Sequence, residues 1–127
     1  MFEVSFPGGV AVDVAVGGTT VRTDQPQPLG AGSAASPFDL FLASIAACAG
    51  FYALRFCQER EIPTAGLRVS LEPERDATKR LVSVRIHVRL PEEFPEKYRA
   101  AIARAIDHCA VKRAITEPPR FELDVVA

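Results

Sequence analysis

The sequence lacks the patterns that mark several functional classes. It has no phosphate-binding glycine loop, and its two histidines and three cysteines never occur in the C-x-x-C or H-x-x-x-H spacings of zinc sites. Its 15 basic residues nearly balance its 16 acidic ones, and no segment concentrates Lys and Arg into a stripe that could follow a phosphate backbone. We therefore expect no metal site and no nucleic-acid partner.

We also expect no signal peptide, and the number of cysteines, three, is odd. Both features favour a reducing compartment, so we expect a cytoplasmic protein whose thiols serve chemistry or packing. With 127 residues, of which 48% are apolar, the chain suits one globular domain over residues 1–127.

The first fifth of the sequence predicts a three-stranded meander. Strands are expected over residues 2–6, 10–16 and 19–23, separated by turns at Pro7-Gly8-Gly9 and Gly17-Gly18. In the second strand, valines alternate with Ala and Asp, the period-two pattern of a strand with one buried face.

A long apolar helix is predicted after Ser36, because Ser36 suits the N-cap, Pro37 the first helical position and Asp39 a capping box. The apolar run to Cys57 is long enough to cross a membrane, but Asp39 at one end and Arg55 inside it disfavour lipid. We expect no membrane partner. A helix that is apolar all round is instead buried on most sides, here in a dimer that covers both copies.

The second half predicts an antiparallel pair of strands, a helix and a last strand. Alternation indicates strands over residues 67–72 and 82–90, with His87 on the solvated face and a charged turn from Pro73 to Lys79 between them. Spacings of three and four predict one amphipathic helix from Pro95 to about Ala110, and alternation predicts a final strand over residues 121–125. This order of elements is typical of an α+β fold.

Two cysteines are candidates for chemistry. Cys48 has small neighbours in the apolar helix, and Cys109 is expected on the apolar face of the second helix. They are either a redox pair, in which one thiol resolves the sulfenic acid of the other, or small hydrophobes packed in a core. Cys57, nine residues after Cys48, is placed on the opposite side of the helix and cannot be its local partner.

The charged and titratable residues considered beside the cysteines have structural explanations as well as functional ones. Arg55 lies close to the helix face of Cys48, but its ion pair with Glu59 four residues on is the favoured interpretation. Asp39 is explained by the first turn of its helix alone. His108 points about 100° away from Cys109 on a continuous helix, so direct contact is not expected.

The segment Ser36-Pro37-Phe38-Asp39-Leu40-Phe41-Leu42-Ala43-Ser44-Ile45-Ala46-Ala47-Cys48, followed later by His108-Cys109-Ala110-Val111-Lys112, resembles the OsmC/Ohr family of thiol-dependent peroxidases. The resemblance implies antiparallel sheets around two central helices, an intertwined homodimer, and active sites at the subunit interface. It also implies that Cys48 is the peroxidatic cysteine and Cys109 the resolving one.

In that family an organic hydroperoxide oxidises the first thiol, a disulfide forms, and an external dithiol reduces it, a lipoyl protein in the hydroperoxide-resistance branch. The resemblance therefore implies a role in oxidative-stress defence without a bound metal, haem or flavin.

Two departures from the family pattern concern the groups that support the thiolate. Phe38 stands where the well-characterised peroxidases have a glutamate, with Asp39 next to it. The peroxidases of the family hold the thiolate with an arginine early in the N-terminal meander. The matching stretch here, around residues 7–10, has no arginine, and Arg22 is the one arginine of the N-terminal strands. Asp39, Arg22 and Arg55 are thus candidate supporting residues, and loss of the family arrangement should slow or redirect the reaction.

The sequence leaves two functions of different classes open. One is a thiol peroxidase acting on organic hydroperoxides through Cys48 and Cys109. The other is a non-catalytic protein that binds a small hydrophobic ligand at the dimer interface, with the cysteines as lining. A hot-dog-type thioesterase is disfavoured by the second long helix.

Overall fold

A computed structural model of the protein describes residues 1–126 and arranges antiparallel strands and helices in an α+β fold, as predicted. The elements are β1 (Phe2–Gly8), β2 (Ala11–Val16), β3 (Thr19–Thr23), α1 (Pro37–Glu59), β4 (Arg68–Arg75), β5 (Leu81–Arg89), α2 (Arg99–Asp107) and α3 (Ala110–Thr116), with one turn of 3₁₀ helix, Glu96–Tyr98, before α2. The chain divides into two compact units, Met1–Ala43 and a second unit from Ser44 onward.

The first unit contains the predicted meander, in the order β1-β2-β3. Val14 of β2 lies opposite Val4 of β1 on one side and opposite Val21 of β3 on the other. Gly17, in the turn between β2 and β3, has a φ of 59°, a left-handed conformation that glycine adopts without steric cost. The three strands and the turn at Gly17-Gly18 are confirmed, whereas β1 continues to Gly8, so the first turn lies at residues 9–10, and no residue of β2 is buried.

The start of α1 is a reciprocal cap. The Asp39 backbone N–H donates to the Ser36 hydroxyl over 3.1 Å, and the Ser36 N–H donates to the Asp39 carboxylate over 3.4 Å. This is the predicted capping box, in which the shorter acid replaces glutamate, and the Ser36 cap contributes about 1 kcal/mol to helix stability.

One face of α1 forms the core of the second unit. It packs against β4, β5 and α2, and the buried members of this cluster are Ala49, Ala53, Phe56, Cys57, Ile62, Ile102 and Ile106. In the β4–β5 hairpin, Val69, Ile86 and Val88 face this cluster. His87 is exposed on the other face, 3.3 Å from the carboxylate of Glu72, so its predicted solvated position is confirmed.

Helix α1 is also apolar enough to be tested as a membrane span. Within residues 1–126 it is the one helix with the required length and hydropathy, with a mean hydropathy of 1.7 over a window that is 33% buried. Length and composition alone do not distinguish such a span from the core helix of a soluble protein. Its exposed aromatic and aliphatic side chains include Phe51 and Leu54.

The predicted helix from Pro95 to about Ala110 is present as far as Asp107, but its continuation through Cys109 is wrong. Helix α2 ends at Asp107, and Cys109 has a ψ of 132°, an extended conformation between two helices. In a continuous helix the N–H groups of Ala110 and Val111 would bond to carbonyls four residues earlier. The break releases these two N–H groups for another acceptor.

The predicted final strand is wrong as well, since residues 117–126 have no regular secondary structure. Phe121, Leu123 and Val125 are 88–89% exposed. Alternation specifies which side chains would share a face, but a strand also needs a neighbour for its backbone hydrogen bonds. In residues 1–126 no strand pairs with this segment. Strand β4 is longer than predicted and reaches Arg75, which reduces the charged turn to residues 76–80.

Candidate active site

The structure brings Cys48 and Cys109 together in the second unit. Cys48 is half-buried on α1, between the small residues Ala47 and Ala49. Cys109 is 2% exposed and occupies the N-cap position of α3. The Cys109 thiol donates a hydrogen bond to the sulfur of Cys48. Both cysteines are free thiols.

The surroundings of Cys48 favour its thiolate form. Desolvation is the largest single influence and acts to raise the pKa of Cys48. The hydrogen bonds from the Cys109 thiol and from the N–H groups of Val111 and Ala110 outweigh it, so the pKa of Cys48 lies below its usual value. The break between α2 and α3 therefore supplies two of the three donors that stabilise this thiolate.

Cys109 is shifted in the opposite direction. Burial raises its pKa most, and the hydrogen bond that its thiol donates to Cys48 raises it further. The backbone N–H groups of Lys112 and Val111 lower the pKa of Cys109 but do not compensate. As the pH rises, Cys48 loses its proton first while Cys109 keeps the proton that it donates. The geometry assigns different chemical properties to two residues of the same type.

This asymmetry predicts a pH dependence of alkylation. A lowered pKa keeps Cys48 a thiolate as the pH falls, so Cys48 should react with iodoacetamide at half-maximal rate below the pKa of about 8.5 of a free cysteine. Cys109 should react with its midpoint above that value. Peptide mass spectrometry after timed alkylation at a series of pH values measures both midpoints.

Two variants at position 109 provide the control. Cys109→Ala removes the donor to Cys48 and should raise the Cys48 midpoint, whereas Cys109→Ser keeps a donor and should change it less. Equal midpoints for Cys48 in the two variants would show that the thiol–thiol hydrogen bond does not control its reactivity.

The other candidate residues of the second unit lie elsewhere. Cys57 is fully buried in the core cluster, and burial raises its pKa despite the nearby charge of Arg60. Arg55 is exposed and donates to Gln58 over 3.0 Å and to Glu59 over 3.3 Å, which confirms the favoured ion pair.

Arg22 and Asp39 belong to the first unit. Arg22 is exposed on β3, where its register partner on β2 is Asp13. Asp39 takes part in the capping box of α1. Their supporting roles at the thiol pair stay predictions.

Two components of this region are not predicted from the sequence. The backbone N–H groups of Ala110 and Val111 cannot be recognised from residue types, and the sequence predicts them inside or at the end of a helix. Lys112 forms an ion pair with Asp107, whose pKa it lowers through a hydrogen bond and its charge. These two residues are five positions apart, a spacing that does not face on one helix, so the pair depends on the helix break.

A cavity of about 500 Å³ lies beside Cys109, between α1, β5, α2 and α3. Most of its lining is aliphatic and includes Ile45, Ala49, Val84, Ile86, Ile106 and Ile115. The polar residues in the wall are Cys109, Asp107, Lys112 and Thr116. Cys48 is not in the lining, so the cavity reaches the thiol pair at Cys109.

The part of the chain that the structure describes offers no cluster of side chains that could bind a metal ion. Residues 1–126 contain no group of three or more His, Cys, Asp or Glu side chains that could hold an ion.

The fold is similar to that of solved bacterial structures. A protein from Psychrobacter arcticus 273-4, described as an osmotic stress induced and detoxification response protein, has a TM-score of 0.75 and 22% identity, over 89% of this chain and 85% of that one. An OsmC-like protein from Mycoplasma pneumoniae has a TM-score of 0.74 and 13% identity, over 93% and 87% of the two chains.

A third similar structure, from Legionella pneumophila, is described as an organic hydroperoxide resistance protein OsmC, predicted redox protein and regulator of sulfide bond formation. Its TM-score is 0.64 at 22% identity, over 91% of this chain and 87% of that one. At identities this low, the structural similarity shows a shared fold alone.

Comparison with curated proteins finds no significant match. The model of the OsmC-like protein family, in contrast, matches residues 30–124, a stretch that contains α1, the β4–β5 hairpin and both cysteines of the thiol pair. The chain therefore belongs to the OsmC-like family.

Proposed function

We propose that this protein is a thiol peroxidase that reduces organic hydroperoxides, with Cys48 as the peroxidatic cysteine and Cys109 as the resolving one. The observation that carries the proposal is the set of three hydrogen bonds that converge on the Cys48 sulfur, one of them from Cys109. Membership of the OsmC-like family and the description of the Legionella structure as an organic hydroperoxide resistance protein support it.

In the first step, the thiolate of Cys48 attacks the terminal oxygen of the hydroperoxide. The O–O bond breaks, Cys48 becomes a sulfenic acid, and the alkoxide takes up a proton and leaves as an alcohol. The lowered pKa of Cys48 favours this step because the thiolate is the nucleophile.

In the second step, the sulfur of Cys109 attacks the sulfur of Cys48. The S–O bond breaks, hydroxide leaves with the Cys109 proton as water, and a disulfide joins the two residues. The existing thiol–thiol hydrogen bond means that Cys109 begins this step already in contact with its target. An external dithiol then supplies two electrons, and a lipoyl protein is the proposed carrier of that dithiol.

Backbone N–H groups take over here part of the task that an arginine performs in the peroxidases that this sequence resembles. The donors from Ala110 and Val111 are neutral, so they lack the charge–charge attraction that an arginine adds to its hydrogen bonds with a thiolate. We therefore propose a slower peroxidase than one with an arginine at the thiolate.

The proposal includes a cytoplasmic homodimer without a bound cofactor. Large apolar side chains that remain exposed support a second copy as their cover, among them Phe51 and Leu54 on α1 and Phe121, Leu123 and Val125 near the C-terminus.

Counting thiols tests the catalytic proposal directly. Reduced protein treated with one equivalent of cumene hydroperoxide should lose two of its three thiols, because Cys57 is enclosed in the core. Mapping of peptides by mass spectrometry should find the Cys48–Cys109 disulfide. Retention of all three thiols in a large excess of peroxide would contradict the proposal.

The cavity favours a second candidate function, a protein that binds a small hydrophobic ligand without catalysis. Its volume of about 500 Å³ lies within the range of roughly 300–1,000 Å³ that ligand pockets occupy, and its lining is mainly aliphatic. This function predicts thiols that stay inert to peroxide and a ligand that native mass spectrometry detects on the purified protein.

A further inference from the structure

We infer that the ion pair between Asp107 and Lys112 holds α3 at the angle that aims the backbone N–H groups of Ala110 and Val111 at the Cys48 sulfur. Asp107 and Lys112 are positioning residues, because they act on Cys48 through α3. The consequence for peroxide reduction rests on the proposed function, whereas the positioning itself does not.

The backbone alone does not fix the direction of α3. The hydrogen bonds of α2 end with the Cys109 N–H, which donates to the Ile106 carbonyl over 3.2 Å. The first bond of α3 runs from the Arg113 N–H to the Cys109 carbonyl over 3.0 Å. In residues 1–126, no backbone hydrogen bond joins a residue of α2 to a residue of α3. The angle between the helices therefore depends on the soft backbone dihedrals of the two residues between them.

Side-chain packing also restrains α3 weakly, and the ion pair adds the missing link. None of the residues of α3 is buried, and Ile115 is 45% exposed. Asp107 is the last residue of α2 and Lys112 lies in the first turn of α3, so the pair spans the break. Among residues 1–126 it is the one salt bridge between these helices. Both side chains line the same cavity wall as Cys109.

The two charges occupy positions that are unfavourable for the helices themselves. Helix dipoles favour negative side chains near the N-terminus and positive ones near the C-terminus. Asp107 stands at the C-terminal end of α2 and Lys112 in the first turn of α3, the reverse of that preference. Helix stability therefore does not explain these two residues, whereas a bridge across the break does.

A change in the angle of α3 affects two donors at once. Ala110 and Val111 are consecutive residues, and both of their N–H groups bond to the Cys48 sulfur. Hydrogen bonds weaken steeply as their geometry departs from linear. A small tilt of α3 therefore weakens both bonds together.

Direct action of side-chain charges on Cys48 is not needed to explain its environment. The influences on its sulfur are burial and hydrogen bonds. Of the other titratable groups around the break, His108 acts on Asp107, and Arg55 on α1 is engaged by Glu59. The contribution of the ion pair to Cys48 is thus geometric.

Two single variants separate positioning from a direct effect of charge. Lys112→Met and Asp107→Asn each break the ion pair, so both should raise the pH midpoint for alkylation of Cys48. Each should slow its reaction with iodoacetamide at pH 7 about two- to fivefold, the range set by the strength of an exposed ion pair. A direct effect would shift the variants in opposite directions, because one leaves a negative charge and the other a positive one. Opposite shifts, or no shift, would overturn the inference.

A charge-exchanged double variant and a neighbouring control complete the test. Asp107→Lys/Lys112→Asp restores a pair and should return the midpoint to the wild-type value. Because the exchange moves each charge to the helix end that favours it, the double variant should fold at least as well. Arg113→Met removes a charge from the next residue of α3 and should leave the midpoint unchanged. A double variant with the midpoint of the single variants would contradict positioning.

Cys57 reports on the fold in the same digests. It is fully buried and should stay unalkylated in every native variant, so a shift caused by unfolding is recognised and the double variant then decides. The assay uses no peroxide, so the two proposals fail separately. Opposite shifts with normal loss of thiols to cumene hydroperoxide would remove this inference alone. Shifts in the same direction with thiols inert to peroxide would remove the peroxidase function alone.

Discussion

Replacing Cys48 with serine is expected to abolish the consumption of organic hydroperoxide, to the level of a protein-free blank. A serine hydroxyl in the same place stays protonated at neutral pH and is a weak nucleophile, so hydrogen bonds from Ala110 and Val111 have no thiolate to stabilise. A coupled assay with cumene hydroperoxide and a dithiol reductant measures the turnover.

Two further cysteine variants serve as controls for this experiment. Cys109→Ser should still oxidise once, with a persistent sulfenic acid on Cys48 that dimedone labels, but should form no disulfide. Cys57→Ala should keep the wild-type stoichiometry of thiol loss at the pair, because Cys57 belongs to the core cluster. Full turnover by Cys48→Ser would exclude Cys48 as the peroxidatic residue.

Replacing Phe56 with alanine is expected to lower the free energy of unfolding by about 3–5 kcal/mol. Phe56 is 5% exposed, and its ring centre lies 6.2 Å from that of Phe94 and 6.0 Å from that of Tyr98. The Arg60 guanidinium lies 3.5 Å above the same ring. Truncation therefore removes the contacts that join α1 to the segment before α2 and leaves a void in the core.

Since natural domains are stable by only about 5–15 kcal/mol, this loss should be visible as a lower midpoint in urea unfolding. Gln58→Ala is the matched control, because Gln58 lies on the same helix, is exposed and is not among the apolar residues proposed to be covered by a second copy. Its effect should be within about 0.5 kcal/mol if the exposed face of α1 contributes little to folding of the chain itself. Equal losses in the two variants would contradict the assignment of the core to the Phe56 face.

Much of the fold was predictable because the responsible signals are local. The meander follows from alternating valines and two glycine turns, and the start of α1 follows from Ser36 and Asp39 only three positions apart. The β4–β5 hairpin follows from two alternating segments with a short charged link. Each of these elements has its hydrogen-bond partners within a few residues or in the next strand.

The candidate site was predictable only in part. The resemblance to the OsmC/Ohr family singled out Cys48 and Cys109, and the structure places their thiols in contact. The sequence predicts charged side chains as their supporting residues. Two of the three donors that act on Cys48 are instead the backbone N–H groups of Ala110 and Val111, which cannot be recognised from residue types.

By itself the sequence determined the α+β class, the meander, the capped apolar helix and the hairpin, because periodicity and capping are properties of neighbouring residues. Tertiary structure alone decided that the second helix breaks at Cys109 and that residues 121–125 have no strand partner among residues 1–126. It also decided that Cys48 becomes the more acidic thiol and Cys109 the less acidic one. These outcomes depend on which groups from distant parts of the chain meet, and hydrogen bonding and desolvation act only at that contact.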